Sequence, residues 1–239
     1  MIDFPIEKIV PLCEEIGVSL NEKQIKNLNI YANLLVSWNE KMNLTAITEP
    51  EEVVFKHFYD CILFFKNIKV QNGAKIIDVG TGAGFPGLVL KIVREDIELT
   101  LLDGLNKRLV FLCEVLKELG LSAETVHLRA EEGSKKSEYR EQYDFAVSRA
   151  VANMNTLCEY CIPFVKKGGY FVALKGPAGS DEVKEAKGAI ALLGGADIKV
   201  YKENHEKLGE RTIVEVKKVA NTPEKYPRAS GKISKSPLR

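Results

Sequence analysis

The chain has 239 residues, 45% hydrophobic and 28% charged, with a formal net charge of +1. This is ordinary globular composition with ample material for a core, and it excludes a nucleic-acid binder that works by bulk charge. No apolar run approaches the roughly 18 residues of a membrane span, and Met1-Ile-Asp-Phe-Pro-Ile-Glu-Lys8 lacks a signal-peptide pattern. The five scattered cysteines suggest neither a disulfide framework nor a metal set, which fits a reducing cytoplasm. Charge is unevenly placed: from Lys217 to Arg239 there are seven Lys or Arg and one Glu, which leaves the remainder at −5.

Residues 1–72 read as a helical region. Ser19 and Glu22 suggest a capping box, and Leu28, Tyr31, Leu35 and Trp38 recur at helical spacing beyond it. Pro50 is suited to the first turn of a further helix carrying Val53, Val54, His57, Phe58, Cys61, Ile62 and Phe65. From residue 74 strands and helices alternate. Strands are expected at 74–79, 98–103, 123–128, 143–148 and 168–174, with helices after the first, second, fourth and fifth. Two strand-like runs, 198–201 and 211–216, have no helix between them and should pair antiparallel. The expected architecture is α/β, a mostly parallel sheet covered on both faces. It divides into an N-terminal helical region (1–72), a central domain (73–218) and a basic C-terminal tail (219–239). Cys158 and Cys161 have metal-like spacing without a second pair, and helical spacing makes packing the better reading.

The chain is organised around Ile77-Asp-Val-Gly-Thr-Gly-Ala-Gly-Phe-Pro-Gly87, a strand, a glycine-rich turn and the start of a helix. Alternating glycines permit φ > 0 and close backbone approach to a ligand, while the helix N-terminus offers free N–H groups. Two ligand classes fit. Gly82-x-Gly84-x-x-Gly87 matches a dinucleotide fingerprint with Asp103 as the ribose acid. Asp78-x-Gly80-x-Gly82-x-Gly84 resembles the first motif of class I S-adenosylmethionine (SAM) methyltransferases, a Rossmann-like fold whose seven-stranded sheet ends in an antiparallel hairpin. Three further groups fall at successive strand ends, where open α/β sheets bind ligands. They are Asp103, Ala130 with Glu131, and Arg149.

The position after the fourth strand, Val147-Ser-Arg-Ala-Val151, has neither the Asn/Asp-Pro-Pro-aromatic pattern of adenine amino-methyltransferases nor a Pro-Cys nucleophile. An acceptor that already carries a free lone pair, such as guanine N7, fits this lack. Arg149 would then orient base or cofactor.

The chain resembles the bacterial RsmG (GidB) family of 16S rRNA guanine-N7 methyltransferases nearly end to end. The resemblance lies in Trp38-Asn-Glu-Lys-Met-Asn-Leu-Thr-Ala-Ile47, His57-x-x-Asp60, the glycine turn with its Phe-Pro-Gly ending, Arg129-Ala-Glu-Glu132, Ser148-Arg-Ala-Val-Ala152, Leu174-Lys-Gly176 and the tail from Lys225 to Leu238. Cys61 stands where the family usually has Ser. The resemblance implies that Gly80, Phe85, Ala130, Glu131 and Arg149 touch SAM, that 16S rRNA or a small-subunit precursor is the partner, and that the target is guanine 527 near the decoding centre. It also implies RNA contacts by the N-terminal helices and the tail, with Asn43, His57, Lys175, Tyr226, Arg228, Lys232 and Lys235 as candidates. A monomer free of the membrane is expected. The tail is expected to be extended until RNA orders it. The other readings are an NAD-type dehydrogenase, which would lack an evident catalytic Tyr-x-x-x-Lys, and a non-catalytic RNA-binding protein.

Overall fold

The computed structural model describes residues 2–239. Seven strands form its centre: β1 (Lys75–Val79), β2 (Glu98–Asp103), β3 (Glu124–His127), β4 (Tyr143–Arg149), β5 (Val165–Lys175), β6 (Gly195–His205) and β7 (Gly209–Lys218). They lie in one sheet in the order β3-β2-β1-β4-β5-β7-β6, with β7 alone running antiparallel to its neighbours. The hairpin strands run longer than their apolar cores suggest, because polar residues on both arms continue the ladder as far as His205 and Gly209.

Both faces of the sheet are covered. Alternation of side chains along the strands sends Ile76, Leu99, Leu101, Phe145 and Val147 to one core, and Ile77, Val79, Leu102, Ala146 and Phe171 to the other. The first core takes Cys13 from α1 (Val10–Glu15), then Leu28, Tyr31, Ala32 and Leu35 from α2 (Glu22–Met42). On its far side α7 (Asn106–Leu119) adds Phe111, Leu112 and Val115. The helical region therefore has no separate core; the boundary near residue 72 marks chain order. The second core is closed by α9 (Met154–Cys161) and α10 (Gly179–Leu192). Cys158 and Cys161 pack inside it as buried free thiols.

Two local expectations change. The capping box of α2 is Asn21 with Gln24, not Ser19 with Glu22. Asn21 Oδ1 accepts from the Gln24 N–H at 2.9 Å, and Gln24 Oε1 accepts from the Asn21 N–H at 2.8 Å. After Pro50 the chain does not form one helix: α3 (Pro50–Val53) widens into a π-helical turn over Val54–Tyr59 before α4 (Asp60–Ile62) and α5 (Phe64–Asn67). Such wide turns recur at functional sites, and this one carries His57.

The tail is not an extended arm. Tyr226 is buried in the second core, and Ile233 of α11 (Ser230–Lys235) is fully buried. Arg228 donates from its backbone N, Nε and Nη2 to Glu159 of α9, whose carboxylate has no solvent exposure. Asn155 of α9 donates to the Leu238 carbonyl at 2.7 Å. Lys218 is buried at the end of β7, where its Nζ meets the Ile162 carbonyl, Glu141 and Thr222 Oγ1. A buried carboxylate needs a cation, and Arg228 is the cation that Glu159 has. Tyr226 and Arg228 are thus committed to the fold and are not free to meet RNA; Lys232 and Lys235 remain exposed.

Replacing Arg228 with Ala leaves Glu159 buried and unpaired and should cost about 3–5 kcal/mol. Lys232→Ala, on the same segment but exposed, should stay within about 0.5 kcal/mol. Urea denaturation of the two variants checks the contrast, and equal effects would refute a structural strap.

Candidate active site

The glycine turn sits at the carboxyl end of β1, and Asp78 organises it from beneath. Fully buried Asp78 accepts at Oδ2 from the Thr81 hydroxyl at 2.7 Å and from the Gly87 N–H at 2.8 Å. The second bond satisfies an unpaired N–H at the start of α6 (Gly87–Val93), where a carboxylate also meets the favourable end of the helix dipole. Asp78 therefore shapes the turn from inside and does not reach the cleft, which corrects its placement among cofactor contacts. Burial raises its pKa to about 6, against the opposing bonds from Thr81 and Gly87.

The glycines divide by role. Gly80 and Gly82 line the cleft at φ 71° and 60°. A Cβ on Gly80 would strike Val151 at 2.8 Å, whereas one on Gly82 would meet only the Gly80 carbonyl, at an ordinary contact distance of 3.9 Å. Gly84 faces the other way: its Cβ would lie 2.5 Å from the Tyr31 hydroxyl and 2.8 Å from Leu112. Its smallness serves packing against α2, a second correction. Tyr31 also donates its hydroxyl to the Ala83 carbonyl, so the N-terminal helix props the turn directly.

The cleft has two continuous lobes that share Gly80, Gly104 and Val151. The larger, about 470 Å³, is lined by the glycine turn, Thr45, Phe85, Asp103, Arg108 and Arg149. The smaller, about 230 Å³, is lined by Leu102, Leu105, Tyr160, and Ala130 and Glu131 of α8 (Ala130–Gly133). Asp103 accepts from the Leu105 N–H at Oδ1, and from Gly82 N–H and Arg108 at Oδ2. A carboxylate offers about four acceptor sites, so Asp103 keeps capacity for a ligand in the larger lobe.

Arg149 closes that lobe. Its Nη1 donates to the Lys56 carbonyl at 3.0 Å and to Asp60 Oδ2 at 2.9 Å; its Nη2 donates to His57 Nδ1 at 3.0 Å. The guanidinium carbon stands 4.7 Å from the Phe85 ring centre, and His57 stacks on the same ring at 4.5 Å. Because Arg149 only donates, His57 Nδ1 is an acceptor, so the ring proton sits on Nε2 and points to Thr45 Oγ1, 2.9 Å away. Thr45 also accepts from the Ile47 N–H, which leaves its own hydroxyl proton free. Burial and the neighbouring Arg149 charge hold the His57 pKa down to about 3, so the ring stays neutral.

The predicted cofactor residues Gly80, Gly82, Phe85, Asp103, Ala130, Glu131 and Arg149 thus border one cleft, whereas Asp78 and Gly84 support it from behind. Among the RNA candidates, His57 is buried beside Arg149. Lys175 is bound to the Ala152 carbonyl and to Glu182, both at 2.8 Å, so it is no free phosphate anchor. Asn43 is exposed in the left-handed conformation that ends α2. Sequence reasoning missed Tyr31 as a prop, Thr45 as the partner of His57, and Arg211, whose Nε donates to Asp60 Oδ1 at 2.8 Å. Tyr31 is visible in the sequence only as one residue of an apolar stripe. Arg211 lies 151 positions from Asp60, and no sequence signal joins them.

The raised pKa of Asp78 has a defined sign. A carboxyl that binds its proton more tightly folded than unfolded adds stability below its unfolded value of 3.8 and loses it as pH rises through 6. The stability of the wild-type protein relative to Asp78→Asn should therefore fall between pH 4 and pH 6. Denaturant midpoints of both proteins across that range test it; a constant difference would remove Asp78 as the source.

A family model described as GidB, rRNA small subunit methyltransferase G, matches residues 24–214. A ribosomal RNA small subunit methyltransferase G from Clostridium perfringens (strain 13 / Type A) is 49% identical over 235 residues, covering 95% of this chain and 96% of the relative. One from Clostridium tetani is 47% identical over 229 residues with the same coverage. Among solved structures, a SAM-dependent O-methyltransferase from Thermotoga maritima aligns with a TM-score of 0.51 at 18% identity, covering 79% of this chain and 72% of that one. A putative methyltransferase from Bacillus halodurans aligns at 0.51 and 11% identity, covering 68% and 100%. These likenesses show the fold, class I methyltransferase, and the terminal hairpin argues against the dehydrogenase alternative. With the family model matched across most of the sequence and relatives near half-identical along almost their whole length, the chain belongs to the GidB family of rRNA small subunit methyltransferases G.

Proposed function

We infer that this protein transfers a methyl group from SAM to N7 of a guanine in 16S rRNA, and that the target is guanine 527. The observation that carries the reading is the single cleft in which the glycine turn, Asp103 and Glu131 at one end meet Arg149 at the other. The residues present fit the cofactor. Gly80 and Gly82 bring bare backbone to the cleft, Asp103 keeps one acceptor site for a ribose hydroxyl, and the smaller lobe offers Leu102, Ala130 and Tyr160 as apolar walls for adenine.

When bound, SAM supplies an electrophilic methyl group on a sulfonium centre. N7 of guanine carries a lone pair and no proton, so the protein has no proton to remove and what remains is alignment. Arg149 suits that role. Three of its N–H groups are held by Lys56, Asp60 and His57, which fixes the plane of the guanidinium. Its Nε–H and one Nη2–H stay available to a ligand. Asn43, Lys232 and Lys235 are the remaining exposed candidates for RNA contact, and the enzyme acts as a cytoplasmic monomer.

Asp103→Ala should weaken SAM binding by about 1.5–3 kcal/mol, the range for hydrogen bonds to a charged group. Calorimetric titration measures this, and unchanged affinity in a folded variant would take Asp103 out of the site. Cells lacking the gene should lose 7-methylguanosine at the target position. Complementation with the wild-type gene should restore it and Arg149→Ala should not, as read by mass spectrometry of rRNA digests. Full modification in the deletion strain would overturn the function.

A further inference from the structure

The cleft continues past Arg149. Beyond Arg149 and Ala150 lies a cavity of about 430 Å³ that shares His57, Arg149 and Ala150 with the cofactor lobe. Ile47, Leu174, Pro177 and Ala178 give it apolar walls, and Lys56, Asp60, Lys175, Glu182 and Arg211 join Arg149 as its charged groups. An apolar slot with a few convergent polar groups is the usual form of a small-molecule site, and this one adjoins the cofactor lobe at Arg149.

The charged groups are not equally engaged. Both oxygens of Asp60 are occupied, one by Arg149 and one by Arg211. Glu182 is held through Oε2 alone, by the Met154 N–H and Lys175, both at 2.8 Å. Its Oε1 has no partner among the described residues. Arg211 uses Nε on Asp60 and Nη1 on the Glu210 carbonyl, which leaves Nη2 open. Beside the free N–H groups of Arg149, the cavity thus presents one acceptor that is fixed but unused, Glu182 Oε1, and one further fixed donor, Arg211 Nη2.

We propose that this cavity holds the target guanine, flipped out of the RNA, with Glu182 Oε1 accepting from its N1–H and 2-amino edge and Arg211 donating to O6. The proposal rests on the function inferred above and adds how the base is chosen. In a guanine ring N7 lies across from the 2-amino group, so a base held by that edge at Glu182 turns N7 back toward Arg149 and the cofactor lobe. Enzymes that act on a base enclosed in folded RNA extrude it into such a pocket. Selection against adenine follows from the same edge. Adenine offers a lone pair at N1 where guanine offers a proton, so a carboxylate set for guanine faces an unmatched acceptor.

The test uses 16S rRNA, both free and reconstituted into small subunits, with guanine or inosine at the target position. Inosine lacks the 2-amino group and keeps N7. For the wild-type enzyme, inosine should lower kcat/KM by roughly fivefold to a hundredfold, the range for discrimination by a paired base edge. Glu182→Gln keeps an oxygen for the Met154 N–H but turns an amide N–H toward the base. It should lose a similar factor on guanine and show no further loss on inosine, with SAM affinity by calorimetry unchanged and a cooperative melting transition retained. If the inosine penalty is the same in wild type and variant, or absent from the wild type, Glu182 does not read the base and the proposal fails. If wild-type enzyme methylates neither the free nor the reconstituted guanine RNA, the underlying function fails instead.

Discussion

Arg149 carries a charge that the fold has withdrawn from water, and the arrangement around it joins parts of the chain that have no other reason to meet. A buried guanidinium is tolerated only when its donors are satisfied and its charge is matched. Here the match is Asp60, which also takes Arg211 from the terminal hairpin. One carboxylate thus ties the helical region to β4 and β7. Neutral His57 fills the remaining side, and Phe85 offers a ring face to both the cation and the imidazole. Each member restrains the others, and Arg149 enters the cleft in a fixed plane.

The same economy shows beneath the glycine turn. Asp78 binds two points of one loop, Thr81 and Gly87, so a single side chain defines both the turn and the start of α6. Tyr31 reaches the loop from the opposite side through the Ala83 carbonyl and stacks on Phe85 at 5.4 Å. The helical region is therefore no loosely appended module. It forms one wall of the cleft, supplies Thr45 and His57 to the site, and shares the core of the sheet.

The tail acts on the opposite face. Arg228 and Asn155 bind it along α9, the helix that follows the Arg149 loop and carries Tyr160 at the smaller lobe. Seven basic residues in the last stretch of sequence suggest a phosphate-seeking arm. Three of them, Lys218, Arg228 and the exposed Lys232, show why charge alone misleads: the first two are consumed by Glu141 and Glu159, and only the third faces solvent.

The sequence by itself determined the strand–helix alternation, the antiparallel final pair and the glycine turn. These follow from short-range rules: buried strands are apolar, turns with φ > 0 need glycine, and two strands without a helix between them pair as a hairpin. It also identified the strand-end residues Asp103, Glu131 and Arg149, because the topology of a parallel sheet delivers successive strand ends to one edge. The tertiary structure alone decided what each polar group spends its bonds on. Asp78 and Gly84 share a motif with Gly80 and Gly82, yet they face inward. Asp78 does so because its carboxylate can reach the N–H of Gly87, nine residues on, and Gly84 because α2 leaves no room for a Cβ. The partners of Arg149, Glu159 and Asp60 lie 69 to 151 positions away. Pairings over such distances are set by which buried charges the packed chain brings together, and local sequence carries no record of them.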